Sequence, residues 1–531
     1  MTICESPLIG GDGCDPSDPN NAPDALPAIV DEGRFRNPKL ATYVQCEVNM
    51  ENGMRGLSRR KLLQSGGAAA LASLFPGIAG AAEGLAGDPA GERPQPADRR
   101  FRSEVVEQYI TAIRARIADP ELARLFSNCF PNTLDTTVEA GTFEGKPDTV
   151  VITGDIAAMW QRDSSAQVWP YLDLARKDDR LRSLLEGVIR RQTRHILIDP
   201  YANAFMADLN APPLEWSCHD LTDMKQGVGE RKYELDSLCY PIRLAHGYWK
   251  RTGGTEPFDT QWHDAMRVVV RTMRVQQRKD GPGPYHFQRS SPNPTETLGG
   301  NGFGNPVKPV GLIASGFRPS DDACIFPFLV PSNHFAVTSL RQLAEMSRAL
   351  LNDNSLAQDA ASLADEVEAA LRQYAIAPMT DGTIWAYEVD GFGSRALMDD
   401  ANVPSLLALP YLKSSPDAAL YARTREFVWS ERNPWFFRGK AGEGIGGPHE
   451  GADMIWPMSQ TIYALTSTSE SEIREALRML KMGSAGSGFI HESYLKDDPK
   501  KFTRAWFAWA NTLFGELIAW LTDAHPETLR A

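Results

Sequence analysis

A long series of amphipathic helical segments runs through this sequence and limits the folds that it can adopt. From Ser103 onward, apolar residues recur every three or four positions, which is the spacing of a helix with one buried face. Ser103 itself is a suitable N-cap for the first segment. Alternating β patterns are brief, at residues 149–152 and 383–389. The predicted helical segments are 103–117, 181–196, 233–250, 258–277, 333–351, 357–374, 418–429, 471–482 and 503–522.

About a dozen helices of this kind cannot each bury an apolar stripe in a simple bundle. A closed ring of helical hairpins accommodates them, because every helix gains two neighbours and one inner or outer partner. Long loops rich in glycine, proline and aromatic residues, at 279–320 and 430–458, would then gather at one mouth of the ring. The alternative is an α-solenoid binding protein, but we find no fixed-period repeat to support it. The sequence therefore predicts an all-α ring whose functional loops share one mouth.

The net charge and hydropathy limit the kinds of partner that the protein is expected to bind. The 531 residues carry a formal net charge of -13, and Lys and Arg cluster only near the N-terminus, so nucleic acid is not an expected partner. No apolar run in the body of the chain is long enough to span a bilayer, so the mature form is not expected in a membrane. The 12 Trp residues allow packing on sugar rings, although many are expected in the core. The oligomeric state stays open.

The spacing of cysteine and histidine gives no metal-binding motif. None of the four cysteines in the body of the chain forms a CxxC pair, and their disulfide state is left open. Neither His449 nor His491 stands in the HExxH spacing of zinc proteases. We therefore expect no metal and no cofactor. The four cysteines are Cys129, Cys218, Cys239 and Cys324.

The N-terminal region is typical of an export signal. A Pro-, Asp-, Asn- and Gly-rich extension is expected to be disordered, or to precede a true start at Met50 or Met54. Arg59 and Arg60 stand before a short Ala-rich segment, which resembles a twin-arginine signal peptide and predicts a periplasmic or secreted protein. A membrane anchor or a basic linker is the alternative. The predicted divisions are an extension over 1–53, a signal peptide over 54–82, a linker over 83–98 and a single catalytic domain over 99–531.

Five segments crowd charged, polar and aromatic residues at the ends of predicted helices. In the first, Trp160 precedes Arg162 and Asp163, and such a pair can bind vicinal hydroxyls while the indole packs on the sugar ring. A structural Arg–Asp pair at a helix start is the alternative. In the second, Glu234 and Asp236 stand two positions apart, so at most one can point into the mouth. The five segments are 154–164, 224–237, 318–324, 446–458 and 488–511.

The other three segments supply further carboxylates. Asp321 and Asp322 precede an apolar run, where they are either helix caps or a general acid with its neighbour. Glu492 follows a glycine-rich loop and precedes an aromatic helix, and the glycines allow its carboxylate to approach a ligand closely. Chemistry alone does not decide which two carboxylates act together.

Several long motifs resemble glycoside hydrolase family 125, in the family's order, from about Val105 to the C-terminus. They are GDIAAMWQRDSSAQVWPYL, RKYELDSLCYP, RPSDDACIFPFLVPSNHFAV, GGPHEGADMIWPMS and HESYLKDDPKKFTRAWFAWANTLFGELI. The resemblance implies an (α/α)6 toroid and an exo-acting α-mannosidase, best known on α-1,6-linked mannose, that works without metal and inverts the anomer. One departure is Gln161, where the family's MWxRD segment is expected to carry an apolar residue; we expect it to affect packing near the subsite.

The resemblance also implies roles. An inverting glycosidase needs an acid and a base about 6.5–9.5 Å apart. The acid is assigned to the pair Asp321 and Asp322, with Asp322 preferred because Asp321 is the better-placed helix cap, and the base is carried over onto Glu492. Arg162 and Asp163 are expected to bind hydroxyls of the terminal mannose of a mannose-containing glycan. Further candidates for the same pocket are Trp160, His449, Trp456, Arg504 and Trp506.

Two other interpretations remain open. Another toroid carbohydrate enzyme, such as a glucosidase or a phosphorylase, shares the fold, but a phosphorylase needs a basic phosphate-binding cluster and no Glu492. A catalytically silent sugar-binding protein is the third interpretation, and the presence of both carboxylate motifs counts against it.

Overall fold

The computed structural model describes residues 91–414 and 417–530. The predicted extension over 1–53 and the predicted signal peptide over 54–82 lie outside these residues. The α-helices are α1 (Glu104–Arg114), α2 (Pro120–Cys129), α3 (Asn132–Thr136), α4 (Gln161–Val168), α5 (Asp179–Ile198), α6 (Asp236–Thr252), α7 (Thr260–Gln276), α8 (Val330–Leu350), α9 (Asn354–Tyr374), α10 (Ala418–Val428), α11 (Pro457–Leu465), α12 (Glu470–Gly483) and α13 (Ala508–Ala524).

Every segment predicted to be helical contains a helix. The first is capped as expected, since the Ser103 side chain accepts a hydrogen bond from the Val106 N–H. The last helix begins five residues later than predicted, because the chain up to Thr503 forms a strand. Four helices were not predicted from apolar spacing: α2, α3, α4 and α11. Every residue of α4 is buried, so it has no polar face and shows no amphipathic period.

An inner row of helices forms the centre of the fold. The buried helix α4 contacts α6 on one side and α13 on the other, so the last helix closes onto the first part of the chain. Helix α6 continues to α8, and α11 packs on α13. Outer helices pack against this set: α5 contacts α6 and α7, α9 contacts α8, and α12 contacts α11. This inner row with an outer layer of helices is the packing expected of the ring of helical hairpins that the sequence predicts.

The segments between the helices form short antiparallel sheets. Three sheets have three strands, in the orders β3-β4-β5, β10-β9-β6 and β13-β14-β15, and the others are the two-stranded pairs β1-β2, β7-β8 and β11-β12. The strands are β1 (Val138–Phe143), β2 (Lys146–Val151), β3 (Ala158–Trp160), β4 (Ala204–Met206), β5 (Val228–Glu230), β6 (Phe328–Leu329), β7 (Ile376–Met379), β8 (Gly382–Trp385), β9 (Glu388–Val389), β10 (Arg395–Ala396), β11 (Phe436–Arg438), β12 (Glu443–Ile445), β13 (Met454–Ile455), β14 (Ser493–Leu495) and β15 (Asp498–Thr503).

The described end of the predicted linker is part of the domain. Arg93 donates to both oxygens of Glu107 and to both oxygens of Asp135, so it joins α1 to α3. Bidentate pairs of this kind fix geometry as well as charge. Arg93, within the predicted linker, is therefore packed against the helices of the predicted catalytic domain.

Two other sequence expectations can be compared with the described residues. Cys129, Cys239 and Cys324 are buried free thiols. None of the helices between residues 91 and 530 that the structure describes has the length and apolar character needed to cross a membrane.

Candidate active site

A cavity of about 600 Å³ opens between the loops at one mouth of the ring. All five segments singled out in the sequence contribute to its wall, which confirms that the functional loops gather at one place. The lining residues are Thr153, Ile156, Trp160, Arg162, Asp163, Trp216, Glu230, Lys232, Arg289, Ser290, Ser291, Pro292, Asn293, Glu296, Pro319, Ser320, Asp321, Asn402, His449, Glu450, Trp456, Glu492, Arg504 and Phe507.

One small sheet, β3-β4-β5, positions much of the wall. Trp160 ends β3, and the chain turns directly into α4, so that Arg162 and Asp163 stand in the first turn of that helix. Asn203 immediately precedes β4, and Glu230 ends β5. Because the three strands are paired, these side chains arrive at one edge from distant parts of the chain.

Arg162 is the charge centre of this wall. Its guanidinium donates to Asp163 Oδ2 at 2.8 Å, to Glu234 Oε1 at 3.1 Å and to Asp321 Oδ1 at 3.1 Å. Its Nε lies 3.4 Å from Asp236 Oδ2. Four carboxylates therefore surround one buried cation, and a single positive charge cannot neutralise all of them.

At least one of the four carboxyls consequently holds a proton near neutral pH. Burial, reinforced by the charges of Asp321 and Asp236, raises the pKa of Glu234 well above its ordinary value despite Arg162. Burial likewise raises the pKa of Asp236 to about 7, against the opposing charge of Arg162. Burial acts in the same direction on Asp321, but Arg162 and the hydrogen bond with Glu234 outweigh it and hold the pKa of Asp321 below its usual range. Glu234 and Asp321 therefore form a pair that shares one proton.

The loop that carries Asp321 is anchored from behind. Arg318 donates through Nε to Glu388 Oε1 at 2.6 Å, and both residues are buried. The other oxygen of Glu388 accepts the backbone N–H groups of Ile325 and Phe326. Asp321 itself has φ +67°, a left-handed conformation that is uncommon for a residue other than glycine. Backbone strain of this kind is concentrated at functional sites, where surrounding contacts hold it in place.

The structure separates the two adjacent aspartates. The Asp321 side chain is 23% exposed and lines the cavity, whereas Asp322 is fully buried behind it. Asp322 accepts a hydrogen bond from Ser320 Oγ at 3.3 Å, and its Oδ1 lies 3.8 Å from His449 Nδ1. Asp321 caps no helix, because the chain between it and β6 is irregular. The reason for preferring Asp322 was therefore wrong, and the geometry favours Asp321 as the residue that faces a ligand.

A second sheet, β13-β14-β15, positions Glu492. Glu492 immediately precedes β14, and β14 pairs with β15 so that Ser493 lies opposite Thr503. Thr503 Oγ1 donates to Glu492 Oε2 at 3.0 Å, and Arg504 donates to Glu492 Oε1 at 3.2 Å. Arg504 is in turn held by Asp155 through two hydrogen bonds. Both oxygens of the Glu492 carboxylate are thus fixed by neighbours different from those of Asp321.

The loop that follows β12 brings His449 and Glu450 close to the catalytic candidates, His449 to both aspartates and Glu492, and Glu450 to Glu492. His449 is 28% exposed, and its burial would lower its pKa, but Asp322, Glu492 and Asp321 raise it to about 10. Its imidazole therefore carries a positive charge beside the cavity. Burial and the neighbouring Glu492 raise the pKa of Glu450 to about 7, although His449 opposes this effect. Glu450 and Glu492 consequently form a second pair of carboxyls that interact through a proton.

Most of the residues predicted for sugar binding line the cavity: Trp160, Arg162, Asp163, His449, Trp456 and Arg504. Trp506 does not, and its prediction is corrected. Its indole N–H donates to Thr136 Oγ1 at 3.2 Å in the interior, and its neighbour Phe507 faces the cavity instead. Gln161 also points away from the cavity, towards His195 on α5, at 3.3 Å between Oε1 and Nδ1.

Gly154 lies where the segment before β3 meets the segment that follows β15. Gly154 pairs with Phe507 in a single β-bridge, and a Cβ at Gly154 would lie 2.3 Å from the carbonyl oxygen of Trp506. Its φ of +136° is open to glycine alone among common residues. The glycine of the first motif is therefore needed to join the segment before β3 to the segment before α13.

Sequence reasoning missed several lining residues. Glu230, Lys232 and Glu450 stand in or beside the quoted motifs but were given no role. Trp216 and Arg289 stand outside them, and nothing in their local sequence separates them from ordinary surface residues. Over residues 91–414 and 417–530, no three His, Cys, Asp or Glu side chains are placed to hold a metal ion.

Comparison with known proteins identifies the family of this chain. Residues 119–519 match the family model of metal-independent alpha-mannosidases (GH125). The chain is 41% identical over 463 residues to the meiotically up-regulated gene 157 protein of Schizosaccharomyces pombe, covering 83% of this chain and 90% of that protein. It is 40% identical to a metal-independent alpha mannosidase from Streptococcus pneumoniae, solved in a non-productive complex with α-1,6-mannobiose. That structure superposes with a TM-score of 0.75 and covers 79% of this chain and 98% of the pneumococcal one. The helical ring is thus an (α/α)6 toroid, and the chain belongs to the GH125 family of metal-independent α-mannosidases, which are glycoside hydrolases.

Proposed function

We propose that this enzyme is an exo-acting α-mannosidase that hydrolyses terminal α-1,6-linked mannose with inversion of configuration. The observation that carries the proposal is that Asp321 and Glu492, each held by its own set of neighbours, face one cavity of small-ligand size. The α-1,6-mannobiose bound by the pneumococcal relative supports the linkage.

Asp321 is proposed as the general acid. It is the member of the Asp321–Glu234 pair that reaches the cavity, while Glu234 is completely buried. In this arrangement the proton rests on Glu234, because Arg162 favours the ionised form of Asp321. Transfer of that proton through Asp321 to the glycosidic oxygen would leave a carboxylate beside the Arg162 guanidinium, which stabilises the new charge.

Glu492 is proposed as the general base. Its two oxygens are oriented by hydrogen bonds from Thr503 and Arg504, which hold the carboxylate in place to accept a proton from water. Burial and the adjacent Glu492 raise the pKa of Glu450 to about 7, so this neighbouring carboxyl is protonated below neutral pH. An inverting mechanism needs one carboxyl of each kind.

The remaining charged residues are proposed to hold the terminal mannose. Arg162 and Asp163 present a guanidinium and a carboxylate side by side, which suits two vicinal hydroxyls. The positively charged His449 lines the cavity, interacts with both Asp321 and Glu492, and can donate to a further hydroxyl. Trp160 and Trp456 add apolar faces to the same wall.

The stereochemical course tests the mechanism directly. Proton NMR of α-1,6-mannobiose hydrolysis should show β-mannose as the first product, whereas α-mannose first would mean retention and would remove Glu492 from its role as a base. Glu492→Gln keeps the shape and removes basicity, so we expect activity to fall by about 10²–10⁴. A matched Glu443→Gln change, on β12 outside the cavity, should leave turnover unaltered.

We also propose that the enzyme is exported through a twin-arginine pathway. Arg59 and Arg60 before an Ala-rich segment support this proposal. The periplasm or the medium would then be where the enzyme meets mannose-containing glycans.

A further inference from the structure

One aromatic side chain at the cavity is exposed. The indole of Trp216 is 47% exposed, whereas Trp160, Trp456 and Phe507, the other large aromatic residues of the wall, are all buried. A buried aromatic ring closes a cavity, but an exposed ring on its rim offers a free apolar face. Trp216 therefore presents an exposed ring face that a ligand in the cavity can contact.

The indole is fixed in place and is not a loose surface group. Its Nε1 donates to Glu230 Oε2 at 3.1 Å. Arg289 donates to the same Glu230 oxygen at 2.9 Å and to Ser217 Oγ at 3.2 Å, next to Trp216 in the chain. Arg289 also binds both oxygens of Asp220 at 2.7 Å. The turn Glu215–Ser217 is thus held by a buried network of charges.

Backbone contacts tie the same turn to the neighbouring loop. Leu221 and Gln288 exchange both of their N–H···O bonds, and Thr222 Oγ1 donates to the carbonyl of His286. The loop continues into Ser290–Asn293, which also lines the cavity. Two segments far apart in the chain therefore form one rigid rim. A rigid aromatic face loses little entropy when it binds a ring.

Trp216 lies on the side of the acid. Asn203 Nδ2 donates to Glu230, which binds the indole, and also to Asp321, at 3.1 Å in each case. Lys232 Nζ donates to the Asp321 carbonyl at 2.8 Å and to Glu296 at 2.9 Å, and Glu296 is bound by Arg289. The hydrogen bonds of Glu492, by contrast, go to Thr503 and Arg504. The rim and the acid are parts of one network.

We propose that Trp216 is the stacking platform for the sugar that leaves, the residue to which the terminal mannose is linked. This inference rests on the proposed function. The acid must lie next to the departing oxygen, so a ring that leaves must lie beside the acid, between it and solvent. Trp216 lines the cavity on this side, because the Glu230 carboxylate that its indole binds also accepts from Asn203, which donates to Asp321. Its apolar face suits the C–H face of a pyranose. The residue thereby selects glycans over substrates whose leaving group has no ring.

A pair of substrates tests the inference. α-1,6-Mannobiose places a sugar against Trp216, whereas α-mannosyl fluoride has a leaving group too small to reach it. Trp216→Ala should lower kcat/KM for the mannobiose by about 10-fold or more, as expected for a lost aromatic contact, mainly through KM. The same variant should keep the kcat/KM of the parent enzyme for the fluoride. Trp216→Phe, which keeps a ring but loses the N–H, should recover part of the loss.

A matched control separates the rim from general effects of an exposed aromatic. Phe392→Ala removes a ring that is 66% exposed and does not line the cavity, so both substrates should be unaffected. Equal losses on the mannobiose and the fluoride in Trp216→Ala, or no loss on either, would overturn the inference. Absence of turnover by the unmodified enzyme on both substrates would instead reject the proposed function.

Discussion

The carboxyl of Glu450 should make the stability of this enzyme depend on pH in a predictable direction. Burial and the adjacent Glu492 raise its pKa from an ordinary value of 4.5 to about 7 in the folded protein. Between these two values the unfolded chain releases the proton while the folded chain retains it. The folded state therefore loses stability as the pH rises from 4.5 to about 7, and the loss is complete above that.

The magnitude follows from the two pKa values. At 1.36 kcal/mol for each pH unit, the full difference corresponds to at most about 3 kcal/mol. Glu450 is partly exposed, and water screens its interaction with Glu492, so we expect a smaller change of about 2 kcal/mol. Glu450→Gln carries no titrating proton and escapes the loss. Its free energy of unfolding, relative to the parent enzyme, should increase by this amount between pH 4.5 and pH 8.

Chemical denaturation of both proteins at the two pH values measures this change. The constant cost or gain of the amide cancels in the comparison, because only the pH dependence of the difference is used. Glu139→Gln, which alters an exposed carboxylate on β1, serves as the control and should show the same difference at both pH values. If Glu450→Gln behaves like this control, Glu450 does not hold a proton beside Glu492, and the raised pKa of Glu450 is refuted.

Three further predictions concern the acid, metal and export. Asp321→Asn should reduce hydrolysis of α-1,6-mannobiose by about 10²-fold or more but affect α-mannosyl fluoride much less, because fluoride leaves without a proton; the same pattern in Asp322→Asn instead would make Asp322 the acid. Hydrolysis should survive exhaustive dialysis against EDTA, and loss of activity that calcium restores would contradict the metal-free mechanism. Replacement of Arg59 and Arg60 by Lys should retain the enzyme in the cytoplasm, as fractionation and immunoblotting would show; unchanged export would exclude a twin-arginine signal.

The helices could largely be predicted, because amphipathic periodicity is a local property. A half-buried helix such as α5 needs an apolar residue at every third or fourth position, and that pattern is visible in the chain itself. Periodicity does not reveal α4, because this helix is buried on every side and carries Arg162 and Asp163 where a periodic pattern would require apolar residues. Its helical state depends on contacts with α6 and α13 that no local pattern records.

The features of the site also separate into those visible in the sequence and those that depend on the folded structure. The family and the segments that carry the candidate carboxyls could be recognised from the chain alone, because motifs such as RPSDD and HESY are continuous in sequence. Which of two adjacent aspartates faces the cavity depends on the folded loop that Arg318 and Glu388 anchor, because neighbours in a chain can point in different directions. Tertiary structure alone also brought Trp216 and Arg289 to the cavity and placed Glu450 against Glu492. Burial and the charges of distant residues set the protonation of these carboxyls, and neither can be read from a residue's neighbours in sequence.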